Sequence, residues 1–150
     1  KSFHLGRWIV RGGWYPDRKL RLFKKAKGRW SGRDLHECVE VTGRIEKLNN
    51  PILHFTYRDL SDHLLRIDKY TAVAARYDFE RGRKAGFLDL SLRPCFKFFR
   101  MYILKLGFLE GWAGFILAST GAYYVFLKYA KLWELNLKGQ GQSPGIEDEG

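Results

Sequence analysis

Tyr57-Arg58-Asp59-Leu60-Ser61-Asp62 is where the period of this chain changes. Upstream, apolar and charged side chains alternate, as strands with one buried face require; downstream, Leu60, Leu64, Ile67, Ala74 and Tyr77 recur at helical spacing. Asp59 is placed to cap that helix, with Asp62 in its first turn, where both acids meet the positive end of the helix dipole. Gly82, directly after Arg81, supplies the stop. The switch marks an α/β chain: residues 1–57 read as an incomplete set of strands, and residues 58–84 as a helix packed on their sheet.

Working back from the switch, Ile52-Leu53-His54-Phe55 is a short strand, and Thr42-Gly43 a turn. Val39 and Val41 alternate with Glu40 on the opposite face, while Gly28 and Gly32 bracket a loop around Arg29-Trp30. Lys19-Leu20-Arg21-Leu22-Phe23-Lys24-Lys25 has period two, with Leu20 and Leu22 on the inner face. Residues 3–16 combine aromatic side chains with Gly12-Gly13 and close on a Tyr-Pro-Asp turn signal. They read either as a strand leading into a tight turn or as a loop whose Trp8 and Trp14 faces stack a sugar ring.

Charge concentrates in the same region. Ten Lys or Arg fall between Arg7 and Arg33 against one acid, Asp17, and residues 1–57 hold 13 basic and 5 acidic side chains. Such a field concentrates anions, whether nucleotide diphosphates, lipid head groups or nucleic acid, without choosing among them. Directly after it come Asp34-Leu35-His36-Glu37, an imidazole beside a carboxylate. An anionic ligand is therefore expected next to His36 and Glu37.

Downstream of Gly82 the chain stays helical. Residues 85–106 carry Pro94, expected to kink or restart the helix, and Arg93, Lys97 and Arg100 fall within an arc of roughly 60° at about 100° per residue. Phe96, Phe98, Phe99, Met101, Tyr102 and Ile103 surround them. A basic stripe on a bulky apolar helix suits a membrane interface, where cations meet lipid phosphates; a core helix with solvated cations has the same composition. Gly111 to Leu127 holds no charge over 17 residues, the short end of the range for a spanning helix, and is diluted by Gly114, Ser119, Thr120 and Gly121. Residues 85–135 are accordingly read as a re-entrant or interfacial helical hairpin turning at Leu106-Gly107, in preference to a span, with Lys128 and Lys131 at head-group level. Residues 136–150, glycine-rich and then acidic, read as a disordered tail.

At 45% hydrophobic and 16% aromatic residues the chain is not a disordered one. It begins at Lys1 with no signal-like segment, and we expect a C-terminal piece of a longer protein. Cys38 and Cys95 are far apart and show no metal-ligand spacing; the His36/Cys38 pair alone is a weak zinc signal, and a reducing compartment is the simplest expectation.

Six segments then match one family in order and spacing: Gly12–Asp17, Arg21–Lys25, Gly28–Glu37, Asp68–Tyr70, Gly107–Gly114 and Tyr124–Glu134. Over roughly residues 5–135 the chain resembles the C-terminal half of family 2 glycosyltransferases of the lipopolysaccharide core biosynthesis type. The resemblance implies the acceptor-side part of a GT-A fold followed by a helical, membrane-associating region. It also implies a nucleotide-sugar donor, Mg²⁺ or Mn²⁺, and inversion in a single displacement. Glu37 then has the chemistry of the general base, since a sugar hydroxyl needs its proton removed as it attacks. His36 would complete the metal shell or bond a diphosphate. Arg21, Arg29 and Arg33 are diphosphate-binding candidates, with planar donors suited to phosphate oxygens, or members of a solvated face. Trp14 and Trp30 are acceptor-binding candidates.

Processive members of the broader family carry Gln-x-x-Arg-Trp, whereas Ala26 precedes Arg29-Trp30 here. A single sugar added to a lipid-linked or core oligosaccharide is therefore expected, at an anionic membrane surface on the cytoplasmic face of the bacterial inner membrane. The alternative is a basic membrane-binding module without chemistry. Nucleic acid is not expected as a partner, because no nucleic-acid motif is present and the aromatics concentrate where charge is low.

Overall fold

The computed structural model describes residues 1–31 and 38–139. It is a mixture of helices with two small sheets. β1 (Ser2–His4) and β2 (Arg7–Ile9) form an antiparallel hairpin. Their two-residue turn, Leu5-Gly6, has positive φ at both positions, the conformation whose twist suits a tight hairpin. β1 also pairs, in parallel, with β5 (His54–Phe55), giving the order β2-β1-β5. β3 (Gly28–Ser31) and β4 (Cys38–Val41) make a separate antiparallel ribbon, with Arg29 opposite Glu40 and Trp30 opposite Val39.

The alternating segment Lys19–Lys25 is not a strand. It runs without regular structure into a single 3₁₀ turn, Lys25–Lys27, with Leu22 exposed. Alternation specifies a face but not a ladder partner, and no described strand lies beside it. Phe23 instead folds its ring over the backbone of Gly28, where a Cβ would meet the ring at 2.2 Å.

α1 (Leu60–Glu80) begins as its sequence requires. Asp59 Oδ1 accepts from the Asp62 N–H at 2.8 Å, and Asp62 Oδ2 accepts from the Arg58 N–H at 3.2 Å, so two otherwise orphaned donors are satisfied. It ends with Gly82 at φ +71°, whose N–H bonds the Phe79 carbonyl while the Arg83 N–H bonds that of Asp78, a Schellman pair. The buried face is His63, Ile67, Thr71, Ala75 and Asp78, while Leu60 and Leu64 are 37% and 39% exposed and Ala74 and Tyr77 are partly buried. Ile67 belongs to both the expected stripe and the buried face; three of the other buried positions are polar, which an apolar stripe does not register. Nor does α1 lie on a broad sheet; most of it packs along α3, and only its first turns reach β1.

α2 (Phe87–Phe99) runs through Pro94 without restarting, continues as one π-helical turn, Arg100–Leu104, and breaks at Leu106, whose φ is +54°. A 3₁₀ turn, Gly107–Glu110, leads into α3 (Gly111–Gly139). Gly107 and Gly114 let this turn close. A Cβ on Gly107 would lie 2.6 Å from the Met101 carbonyl oxygen, and one on Gly114 only 1.8 Å from that of Gly107. α3 therefore continues through residues 136–139, which the sequence assigned to the tail; residues 140–150 lie outside the described residues.

α3 is the central element, with α1 and α2 both packed on it. Near its start, Ala113 and Leu117 join Ile9 in a buried cluster, with Leu5 and Trp14 against it, which seats the β1–β2 hairpin. Further along, Tyr129 and Leu132 meet Ala75 of α1, with Phe79, Leu90 and Val125 alongside. No single helix among the described residues is long and apolar enough to cross a membrane; the sharply bent pair Phe87–Leu104 and Gly107–Gly139 has that length and composition only when taken together.

Candidate functional site

Of the residues nominated from sequence, Arg33, His36 and Glu37 lie outside the described residues. Arg29 stands on β3 with its guanidinium held by Glu40 across the ribbon, Nε at 3.2 Å and Nη2 at 3.0 Å from the same carboxylate oxygen. Both side chains are mostly exposed, so this pair contributes little stability and leaves the guanidinium open to an anion. Trp30, next along β3, exposes 71% of its surface. Arg21 is exposed in the irregular segment before the 3₁₀ turn. Trp14 is placed quite differently: half-buried, parallel to His4 at 6.0 Å between ring centroids, and packed against the Ile9–Leu117 cluster. No hydrogen bond, ion pair or ring contact joins any two of Trp14, Arg21, Arg29 and Trp30. Among the described residues no group of three or more His, Cys, Asp or Glu side chains could hold a metal ion.

Three constellations escape a linear reading. In the first, Glu110 is 1% exposed, with Arg7 Nη2 3.0 Å from Oε2, Arg11 Nη1 3.6 Å from Oε1, and the Val10 N–H donating to Oε1 at 3.2 Å. Arg7 also donates to the Glu110 carbonyl oxygen at 3.0 Å. Two cations of the basic N-terminal region thus clamp the α2–α3 turn. About 100 residues separate the partners, so no local pattern announces them.

The second is a buried imidazole pair. His4 Nε2 and His63 Nδ1 are 3.2 Å apart, and Tyr57 stacks on His63 at 4.1 Å while Trp14 meets it edge-on. Burial lowers the pKa of His4; burial, and then the neighbouring His4, bring that of His63 down to about 4. Both rings are neutral at pH 7, suited to packing and to one shared hydrogen bond.

The third is a cleft of about 440 Å³ between α2 and α3, lined by Leu92, Arg93, Phe96, Lys97 and Arg100 on one side and Tyr124, Val125, Lys128 and Tyr129 on the other. The basic stripe of α2 faces it. Arg93 is paired with Asp89 and lies over the Tyr129 ring; Lys128 Nζ is 2.7 Å from Asp78 Oδ2 and 5.4 Å from the centroid of the same ring. Lys97 and Arg100 have no acidic partner among the described residues. Burial, and then the nearby Arg100, press the Lys97 ammonium below its ordinary pKa.

No family model and no solved structure matches the chain. Among curated proteins it is 30% identical over 149 residues, 94% of its length, to the lipopolysaccharide core biosynthesis glycosyltransferase LpsC of Rhizobium meliloti. It is 26% identical over 102 residues, 68% of its length, to uncharacterized glycosyltransferases of Rickettsia prowazekii and Rickettsia felis. The chain spans 54% of the Rhizobium protein and 35% and 36% of the two Rickettsia proteins. The resemblance carried by the six ordered motifs is therefore shown by comparison: over nearly its whole length this chain is similar to a lipopolysaccharide core glycosyltransferase.

Proposed function

We propose that the chain is the C-terminal, acceptor-side part of a nucleotide-sugar-dependent glycosyltransferase, which adds one sugar, with inversion, to a lipid-linked or lipopolysaccharide core acceptor. The observation that carries this reading is the similarity to LpsC across 94% of the chain. In this proposal residues 1–57 form an incomplete acceptor-side subdomain of a GT-A fold, 58–84 a packing helix and 85–135 a membrane-associating hairpin. Its place is the cytoplasmic face of the bacterial inner membrane, where such acceptors are exposed.

The chemistry follows from residue types. Glu37 takes the proton of the acceptor hydroxyl as that oxygen attacks the anomeric carbon, and the nucleoside diphosphate leaves from the opposite face. Arg29, already on an exposed ribbon, and with it Arg21 and Arg33, offsets charge on the departing diphosphate. Trp30 offers an open face for an acceptor ring. Trp14 packs on the cluster that seats the β1–β2 hairpin. The described residues do not assemble a metal shell, so Mg²⁺ or Mn²⁺, with His36 as one ligand, rests on the family resemblance, and no step here is routed through it.

The test is incubation of the complete protein with a panel of labelled nucleotide sugars and a membrane or lipopolysaccharide-core extract. Label in the lipid or core fraction, a mass increment of one sugar, and an inverted anomeric configuration are expected. A ladder of products would overturn the non-processive assignment. Absence of label with every donor would overturn the enzyme reading and favour a membrane-binding module.

A further inference from the structure

We propose that the cleft between α2 and α3 binds the phosphate of an anionic membrane lipid, with Lys97 and Arg100 as its ligands and the exposed apolar face of α2 lying against the acyl region. This rests on reading the helical pair as membrane-facing, and is independent of the transfer reaction.

The cleft is built in a way that separates two kinds of cation. Arg93 is held by Asp89, and Lys128 by Asp78, which Arg83 shares, and both cations lie against the Tyr129 ring. Lys97 and Arg100 lie one turn apart on the same wall and have no acidic partner among the described residues. A half-buried ammonium without a counter-ion is costly, and a bound anion removes that cost. Among the described residues, the cleft lining thus offers two cations without an acidic partner in a mostly apolar setting.

The surroundings point to a lipid phosphate over a soluble one. Leu88, Leu92 and Phe96, at successive i, i+4 positions, are each at least 60% exposed, and Phe99 and Ile103 extend the stripe. A soluble phosphate would leave that stripe in water. An amphiphile covers it while presenting its phosphate to the two cations, the division of labour by which interfacial helices bind anionic bilayers.

The experiment is co-sedimentation of the complete protein with vesicles of phosphatidylcholine alone or with 30% phosphatidylglycerol, for wild type, Lys97→Gln/Arg100→Gln and Lys69→Gln/Arg76→Gln. The last pair removes the same charge from exposed positions on α1. Each basic residue at an anionic surface is worth about fivefold in partition, so the cleft variant should lose about 25-fold on phosphatidylglycerol vesicles. The α1 variant should lose less than about threefold, because its cations are not gathered at a site. Lys97→Arg/Arg100→Lys should bind like wild type, and millimolar inorganic phosphate at constant ionic strength should not displace any of them. Equal losses in both double variants would reduce the cleft to part of a diffuse field and overturn the site; displacement by inorganic phosphate would overturn the lipid assignment. Failure of wild type to bind either vesicle would overturn the membrane reading itself, while leaving the transfer assay untouched.

Discussion

Replacing Glu110 by Ala should loosen the seat of the β1–β2 hairpin on the α2–α3 turn. The side chain is 1% exposed and accepts a backbone hydrogen bond from Val10, worth about 1.5–3 kcal/mol when the acceptor is charged. It also makes the ion-pair contacts with Arg7 and Arg11. Removing one partner of a fully buried pair costs about 3–5 kcal/mol. Here both arginines are nearly half exposed, so water takes over much of their solvation once the carboxylate is gone, and Oε2 meets Arg7 without an aligned hydrogen bond. The expected loss is therefore about 2–3 kcal/mol, and Glu110→Gln, which keeps an acceptor for Val10, should lose about half of it. Urea unfolding followed by tryptophan emission suits the measurement, because Trp14 sits on the same cluster. A loss below about 0.5 kcal/mol for Glu110→Ala would refute the clamp, as would Gln and Ala variants of equal stability.

Gly114→Ala should cost at least about 2 kcal/mol, since its Cβ would run into the Gly107 carbonyl, backbone against backbone; Gly121→Ala, which meets the movable Met101 side chain, should cost less in the same thermal melts. The His4–His63 pair makes stability pH-dependent with a definite sign. The folded pKa of His63, about 4, lies below the unfolded value of 6.5, so below pH 6.5 the unfolded chain takes up a proton that the folded one refuses. Stability should fall by about 3 kcal/mol as the pH drops from 6.5 to 4, and His63→Phe should flatten that part of a urea-midpoint profile; a profile unchanged by the substitution would contradict it. Trp30→Ala should leave stability within about 0.5 kcal/mol while raising KM for the acceptor, whereas Trp14→Ala should lower the melting temperature, because one ring is open to water and the other packs on the Ile9 cluster.

What the sequence made legible were features encoded locally. Asp59 and Asp62 announced the start of α1 because capping needs only a few residues in register, and Gly82 announced its end because a left-handed position favours glycine. The break at Leu106-Gly107 was readable from its glycine, which here serves close backbone approach to the Met101 carbonyl while the left-handed position falls on Leu106. The Lys19–Lys25 alternation misled, since a face pattern says nothing about whether a neighbouring strand exists. Of the buried side of α1, Ile67 was read but His63, Thr71 and Asp78 were not, because they are held by partners far along the chain, such as His4, Lys131 and Lys128, and look polar to any periodicity argument. Glu110 drew no reading from sequence, because its partners Arg7, Val10 and Arg11 lie about 100 residues away. Of the candidate site, composition and spacing found the basic stripe of α2 but not Tyr124, Lys128 and Tyr129 facing it, because that pairing depends on how α2 folds back on α3.

The transfer rate of the complete protein, wild type beside Glu37→Gln, with nucleotide binding measured on both, tests the central claim most directly. The account predicts sugar transfer by wild type and a loss of about 10²–10⁴-fold in the variant, the range for removing a general base, with nucleotide affinity kept. Wild-type protein that binds membranes but transfers no sugar from any nucleotide donor would contradict it.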